Sequence, residues 1–225
     1  MSKAIVIFSG GQDSTVCMGW AKNRFKEIEA ITYDYGQRHE IELTQASKIA
    51  NLFGIKHTIF KLSELSQLGN SALIGDVGEI SASHATNSSL PASYVPNRNA
   101  LFFTIAHAYA QKIGAKDLVT GICQSDYSGY PDCRVEFAKA IELALNLGSE
   151  SDIKFHYPLM YLNKAQTFKL AFDEGVLDIV LKYSHTCYEG VRDKLHDWGY
   201  GCAKCPACKL RMNGYKEFIR LQQKE

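Results

Sequence analysis

Short apolar runs alternate with stretches of helical periodicity along the first two thirds of the chain. Residues 4–8 are apolar without a break and lead directly into Ser9, Gly10 and Gly11, which predicts a buried strand emptying into a tight turn. Residues 13–26 predict the first helix, and residues 28–35, rich in β-branched positions, a second strand. Ile41, Ala46, Ile49 and Ala50 recur near helical spacing within 39–52, and residues 57–62 predict a third strand. Leu101, Ile105, Ala106 and Tyr109 share one face of a helix over 99–113. A fourth strand over 117–122, a helix over 132–147, a short fifth strand over 153–157 and a helix over 164–172 complete the alternation. Strands separated by helices predict an α/β fold: a doubly wound parallel five-stranded sheet with right-handed crossovers. Ligands in such sheets bind beyond the carboxyl ends of the strands, where residues 9–14, Tyr35 and the residues after Cys123 fall.

Residues 65–95 break this rhythm. They carry Gly69, Gly75, Gly78 and Pro91 among many serines and asparagines, with no periodicity. A stretch of this kind is either a binding loop or lid, or an insertion without function. The whole chain of 225 residues, 46% hydrophobic, suits one large domain with a small appendage. The expected division is an α/β nucleotide-binding domain over 1–183 and a tail over 184–225 that packs on it. A net charge of +1 gives no global attraction for nucleic acid or an anionic membrane, so a small-molecule ligand is expected. No apolar run approaches the roughly 20 residues of a bilayer span. Residues 4–8 are too short for a signal segment, and a cytoplasmic location is expected.

Ser9-Gly10-Gly11-Gln12-Asp13-Ser14 carries the first chemistry. Glycines let the backbone approach a bulky anion closely. The amides of the turn and of the first helical turn then converge with the helix dipole on a phosphate or pyrophosphate. The segment lacks the lysine of the other common phosphate loop, so γ-phosphoryl transfer is not indicated. The plain alternative is an ordinary turn with Ser14 capping the helix. The segment resembles the PP-loop of the adenine-nucleotide α-hydrolase superfamily, whose members hold the β,γ-pyrophosphate of ATP and transfer AMP.

Cysteines supply the second signal. Cys202-Ala-Lys-Cys205-Pro-Ala-Cys208 contains two overlapping Cys-x-x-Cys steps, and Cys187 lies 15 positions upstream. Four thiolates with no open position suit one structural zinc ion, which would fold a loop-rich tail and pin a helix over 206–221 against the domain. An iron–sulfur cluster and a redox Cys-x-x-Cys pair are the competing uses.

Three further stretches, dense in polar and aromatic residues, fall where strands should end: Asp34 to His39, Val95 to Asn99 and Asp126 to Arg134. Each also reads as a turn with a helix cap. Taken in order with the PP-loop and the cysteines, they resemble the 7-cyano-7-deazaguanine synthase family of queuosine biosynthesis, over about residues 3–219. That resemblance implies a ligase joining ammonia to 7-carboxy-7-deazaguanine through adenylated acid and amide. It implies ATP with Mg2+, one zinc per chain and a homodimer. It also implies site residues. Phe8, Ser9, Gly10, Gly11, Gln12, Asp13, Ser14, Thr15, Val16, Cys17 and Met18 hold the nucleotide. Asp13, Arg98 and Lys164 are catalytic. Tyr35, Gln37, Arg38, Asn97, Arg98, Asp126, Tyr127, Tyr130, Asp132 and Arg134 hold the deazapurine acid. Cys187, Cys202, Cys205 and Cys208 hold the metal. The 188–201 stretch is longer than the family pattern, which leaves Trp198 and Tyr200 to cover either the site or a subunit contact. A tRNA thiolase, a ligase acting on a protein terminus and a non-enzymatic zinc-ribbon adaptor are the alternatives.

Overall fold

A computed structural model describes residues 3–36, 41–62, 83–84, 87–91, 94–125 and 130–223. The first half runs β1 (Lys3–Ile7), α1 (Gln12–Lys22), β2 (Glu27–Asp34), α2 (Ile41–Phe53) and β3 (Lys56–Lys61), followed by the short strands β4 (Ser83–His84) and β5 (Asn87–Pro91). The second half runs α3 (Arg98–Ile113), β6 (Asp117–Val119), α4 (Val135–Ser149), β7 (Lys154–His156), α5 (Lys164–Asp173) and α6 (Leu177–Tyr183). A hairpin of β8 (Leu195–His196) and β9 (Gly199–Tyr200) and the helix α7 (Pro206–Gln222) close the chain.

The main sheet is parallel, in the order β3-β2-β1-β6-β7, as the alternation predicts. Because successive side chains in a strand point to opposite faces, neighbours in β1 feed two cores. Val6 and Phe8 pack with α1, α2, α5 and α6, whereas Ile5 packs with α3 and α4. Helices therefore cover both faces; Ala4, Ile5 and Val6 of β1 are fully buried, and Ile7 is part-buried beside a cavity.

Several boundaries differ from the sequence pattern, for local reasons. Helix α1 ends at Lys22, short of residue 26, because the amides of Arg24 and Phe25 turn back onto the Ala21 carbonyl. Strand β6 spans three residues, not six: the Thr120 amide makes a last bond to the His156 carbonyl of β7, and residues 121–123 then line the same cavity. A single 3₁₀ turn, Pro131–Cys133, precedes α4. Two elements have no sequence signal: α6, of seven residues, and the β8–β9 hairpin, of two-residue strands. Both are too short to display a period. Within 65–95 the structure describes β4 paired antiparallel with β5; the rest of that stretch lies outside the described residues.

The tail packs closely on the α/β body through α7 against α5. Arg211 of α7 is fully buried. Its guanidinium donates to the carbonyls of Trp198 and Val180, both at 2.8 Å, and to the hydroxyls of Ser184 and Thr186, both at 2.9 Å. One side chain thus ties the hairpin, α6 and the 184–186 segment together. Among the described residues, no helix is long and apolar enough to cross a membrane.

Candidate active site

The turn after β1 is built for close approach. Gly10 has φ +77°, and a Cβ there would lie 2.6 Å from the amide nitrogen of Ala46, so α2 presses directly on the turn. Side chains brace it internally. The Ser14 hydroxyl accepts from the Ser9 amide at 3.2 Å, and the Thr15 hydroxyl donates to the Gly11 carbonyl at 2.7 Å. From the tail, the amide of His185 donates to the Gly10 carbonyl at 2.9 Å. The turn is held from both sides, and the dipole of α1 is aimed at the space above it.

Asp13, on the first turn of α1, meets Lys164, the first residue of α5. The Lys164 Nζ donates to Asp13 Oδ1 at 2.9 Å and to Oδ2 at 2.7 Å. Lys164 is held at this point because Asn163 caps α5 through a reciprocal pair with Gln166. The side chain of Lys164 is only 10% exposed, unlike a solvated surface lysine.

Asp13 and Lys164 line a cavity of about 390 Å³ at the carboxyl ends of the strands. Ser9 and Ser14 form its floor; Tyr35, Arg98 and Tyr130 stand on one wall, and Thr186, Cys187 and Tyr188 of the tail on another. The Arg98 guanidinium carbon lies 5.9 Å from the ring centres of both Tyr35 and Tyr130. Phe102 stacks on Tyr33 at 4.1 Å, extending this into an aromatic shelf suited to a flat ring. Glu42, on the first turn of α2, also faces the cavity. Burial pushes its carboxyl up to about 7, against the opposing pull of Arg98. Burial likewise raises the Tyr35 phenol, with Arg98 opposing.

The four cysteines of the tail converge. Their sulfurs all lie within 4.8 Å of one another, with Cys202 and Cys208 at 3.9 Å. Sulfurs placed about 2.3 Å from a tetrahedral ion stand about 3.8 Å apart, so the set fits one ion. An iron–sulfur cluster puts several irons and sulfides between its thiolates and spreads them wider. Backbone amides complete the fit: Cys205 N–H donates to the Cys202 sulfur at 3.3 Å and Cys208 N–H to the Cys205 sulfur at 3.5 Å.

The family model described as "Queuosine biosynthesis protein QueC" matches residues 3–219, which take in the turn, the cavity walls and all four cysteines. The chain belongs to the QueC family. It is 58% identical over 218 residues to the 7-cyano-7-deazaguanine synthase of Wolinella succinogenes, covering 96% of this chain and 94% of that one. It is 53% identical over 214 residues to the enzyme of the same name from Helicobacter pylori strain Shi470, covering 95% of each. A crystal structure of a 4-thiouridine synthetase–RNA complex with bound ATP superposes with a TM-score of 0.55 at 17% identity, over 99% of this chain and 53% of that one. At that identity the likeness is one of fold.

In this QueC-family chain the structure gathers some of the expected residues and leaves others apart. Phe8, Ser9, Asp13, Ser14, Tyr35, Arg98, Tyr130 and Lys164 line the cavity together. Gly10 and Gly11 shape the turn, and Thr15 braces it. Val16, Cys17 and Met18 sit in the hydrophobic core. The Gln12 amide is buried outside the cavity lining, and neither of its polar atoms has a hydrogen-bond partner among the described residues. Asp132 is spent on structure: its carboxylate accepts from the Asn99 amide at 3.0 Å, at the start of α3. Arg134 is exposed at the N-cap of α4 and Asn97 at the N-cap of α3, both off the cavity lining. Gln37, Arg38, Asp126 and Tyr127 lie outside the described residues. Trp198 stacks on His196 at 4.6 Å within the metal lobe, and Tyr200 lies under Arg192; neither lines the cavity.

The sequence pattern missed Glu42, Phe102 and Tyr188 as cavity residues. Glu42 follows Asp34-Tyr35-Gly36-Gln37-Arg38-His39 by three positions and looks like an ordinary exposed residue of a helix start. Tyr188 follows a ligand cysteine, a neighbour that carries no signal until the tail is folded against the turn.

Proposed function

We infer that the chain makes 7-cyano-7-deazaguanine from 7-carboxy-7-deazaguanine and ammonia, with ATP as activating substrate. Family membership across residues 3–219 carries this reading, and the cavity supports it by joining an anion-binding turn to an aromatic and arginine wall. A carboxylate is a poor electrophile because its leaving group is oxide. Transfer of AMP onto that oxygen makes a leaving group, and ammonia then displaces AMP to give an amide. A second AMP transfer onto the amide oxygen, followed by its loss, gives the nitrile.

The amides of residues 9–14 cradle the pyrophosphate, with Ser9 and Ser14 orienting it. Lys164, held in place by Asp13, offsets charge as pyrophosphate departs. Mg2+ bound with ATP screens the same charge. Arg98 pairs in a fork with the acceptor carboxylate, and Tyr35 and Tyr130 flank the ring. Gln37, Arg38, Asp126 and Tyr127 complete the acceptor contacts in this reading. Cys187, Cys202, Cys205 and Cys208 hold one structural zinc ion, and the family resemblance supports a cytoplasmic homodimer.

The decisive measurement is ATP–pyrophosphate exchange with and without 7-carboxy-7-deazaguanine. Exchange that depends on the acid is the expected result. Exchange absent under both conditions sinks the adenylation mechanism.

A further inference from the structure

Nitrogen gives up three protons between ammonia and a nitrile: one when ammonia displaces the first AMP, and two as the activated amide loses the second. Protons leaving at these stages need an acceptor inside the cavity, because a site that shields an acyl adenylate from hydrolysis also keeps out bulk water. Two carboxylates line the cavity among the described residues, Asp13 and Glu42. They differ in what surrounds them. Asp13 receives two short hydrogen bonds from Lys164 and is committed to that pair. Glu42 has no ion-pair or hydrogen-bond partner among the described residues. It faces the same space as Arg98, and its backbone carbonyl lies against the phosphate-binding turn, 3.0 Å from where a Gly10 Cβ would sit.

We propose that the Glu42 carboxylate is the proton acceptor for the nitrogen steps, a role that rests on the adenylation reading above. Its position suits the work. In the adenylation reading the turn at Gly10 holds the phosphates and Arg98 the acceptor carboxylate, and Glu42 neighbours both: its carbonyl lies against Gly10 and its carboxyl feels the charge of Arg98. In the first step the nitrogen of ammonia bonds to the acyl carbon, the carbon–oxygen bond to AMP breaks with its electron pair going to AMP, and one N–H proton passes to Glu42. In the second, the amide oxygen bonds to the α-phosphorus of ATP and pyrophosphate leaves. One N–H proton then passes to Glu42, which gave up its earlier proton to the first departing AMP; the bond to the second AMP breaks with its electron pair and the remaining N–H proton going to that AMP, and the carbon–nitrogen triple bond forms. Both carboxylate oxygens leave on AMP, and no oxidant or reductant is required.

The electrostatic surroundings agree. Tyr35, Tyr130, Tyr188, Arg98 and the Asp13–Lys164 pair share the cavity with Glu42. Burial outweighs the pull of Arg98 and poises the carboxyl at about 7, where a general base works best at neutral pH. A carboxyl at its usual value would be too weak a base to take a proton from nitrogen.

The test compares wild type, Glu42→Gln and Glu42→Asp in two assays at matched thermal midpoints. Acid-dependent ATP–pyrophosphate exchange is expected to stay within a few-fold of wild type in Glu42→Gln. Formation of amide and nitrile is expected to fall about 10²–10⁴-fold, the range for loss of a general base. The wild-type rate is expected to rise with pH through about 7, and this limb to vanish in Glu42→Gln and return in Glu42→Asp at lower rate. Nitrile formation in Glu42→Gln near the wild-type rate with an unchanged pH profile overturns the proposal. So does loss of exchange in folded Glu42→Gln, which would place Glu42 in adenylation. Absence of exchange in the wild type overturns the adenylation reading itself.

Discussion

The Nζ of Lys164 donates to both carboxylate oxygens of Asp13, joining residues 151 positions apart at one corner of the cavity. The pair brings the first turn of α1 and the first turn of α5 to the same point, so a distant helix places a cation beside the glycine turn after β1. Lys164→Met is expected to lower the rate of adenylation about 10²–10³-fold, the range for removing one preorganised charge-stabilising donor. Thermal stability should fall only moderately, because Lys164 is nearly buried but the Asp13 carboxylate left behind is part-exposed and can take up water. Pyrophosphate exchange at saturating ATP measures the effect; a change confined to KM for ATP would show that Lys164 binds the nucleotide without helping the step.

The position of Lys164 depends on a glycine of the tail. A Cβ at Gly214 would lie 2.3 Å from the Lys164 Cβ, so α7 can approach α5 only because that side chain is missing. Gly214→Ala is expected to push the two helices apart, costing about 1–3 kcal/mol, the range for an overpacked interior. It should also lower adenylation by misplacing Lys164. Denaturant unfolding read beside exchange checks both; a variant as stable and as active as wild type would rule the contact out as a constraint.

Among the described residues, Arg211 has no carboxylate partner and donates only to neutral oxygens. Burial draws its guanidinium down to about 10, which leaves it charged at neutral pH. Arg211→Met strands the buried carbonyls of Trp198 and Val180 and is expected to cost at least about 2 kcal/mol. Arg211→Lys should not restore the loss, because an ammonium cannot reproduce the planar fork. Equal stability of the lysine variant and wild type would contradict this.

Removal of the metal should loosen the tail and the turn together, since His185, two residues from the ligand Cys187, donates its amide to Gly10. Chelation or Cys205→Ser is expected to lower zinc content, thermal midpoint and ATP affinity in parallel. Elemental analysis with a thermal melt checks it, and retained metal in Cys205→Ser would show that the ligand set is wrong.

Stability of the ligand-free protein should carry the mark of Glu42. Its folded value is raised from 4.5 to about 7, so between these values the folded chain holds a proton that the unfolded chain has lost. The stabilisation is complete below about 4.5 and disappears as pH rises through about 7. The difference in thermal midpoint between wild type and Glu42→Gln should therefore shift against the wild type across this window. A pH-independent difference would mean that Glu42 is not buried in solution.

The strands, their parallel pairing and the helices between them follow from features within single segments. An unbroken apolar run and a glycine turn specify β1 and its exit, and helical spacing specifies α3, whichever neighbours they meet. The cysteines were legible for the same reason: Cys202, Cys205 and Cys208 are spaced closely enough for backbone geometry alone to bring their sulfurs together. What the sequence could not rank is which polar residues reach the cavity. Asp132 and Tyr130 come from one motif, yet Asp132 is consumed capping α3 and Tyr130 faces the site. Glu42 became distinctive only once α2 pressed against Gly10 and took its carboxyl out of water. Burial, pairing and perturbed basicity come from contacts between segments far apart in the chain. The sequence determines the sheet strands, the glycine turn and the cysteine cluster, while tertiary packing decides that Lys164 stands beside that turn, that Gly214 sets its place, and that, among the described residues, Asp13 is paired and Glu42 is not.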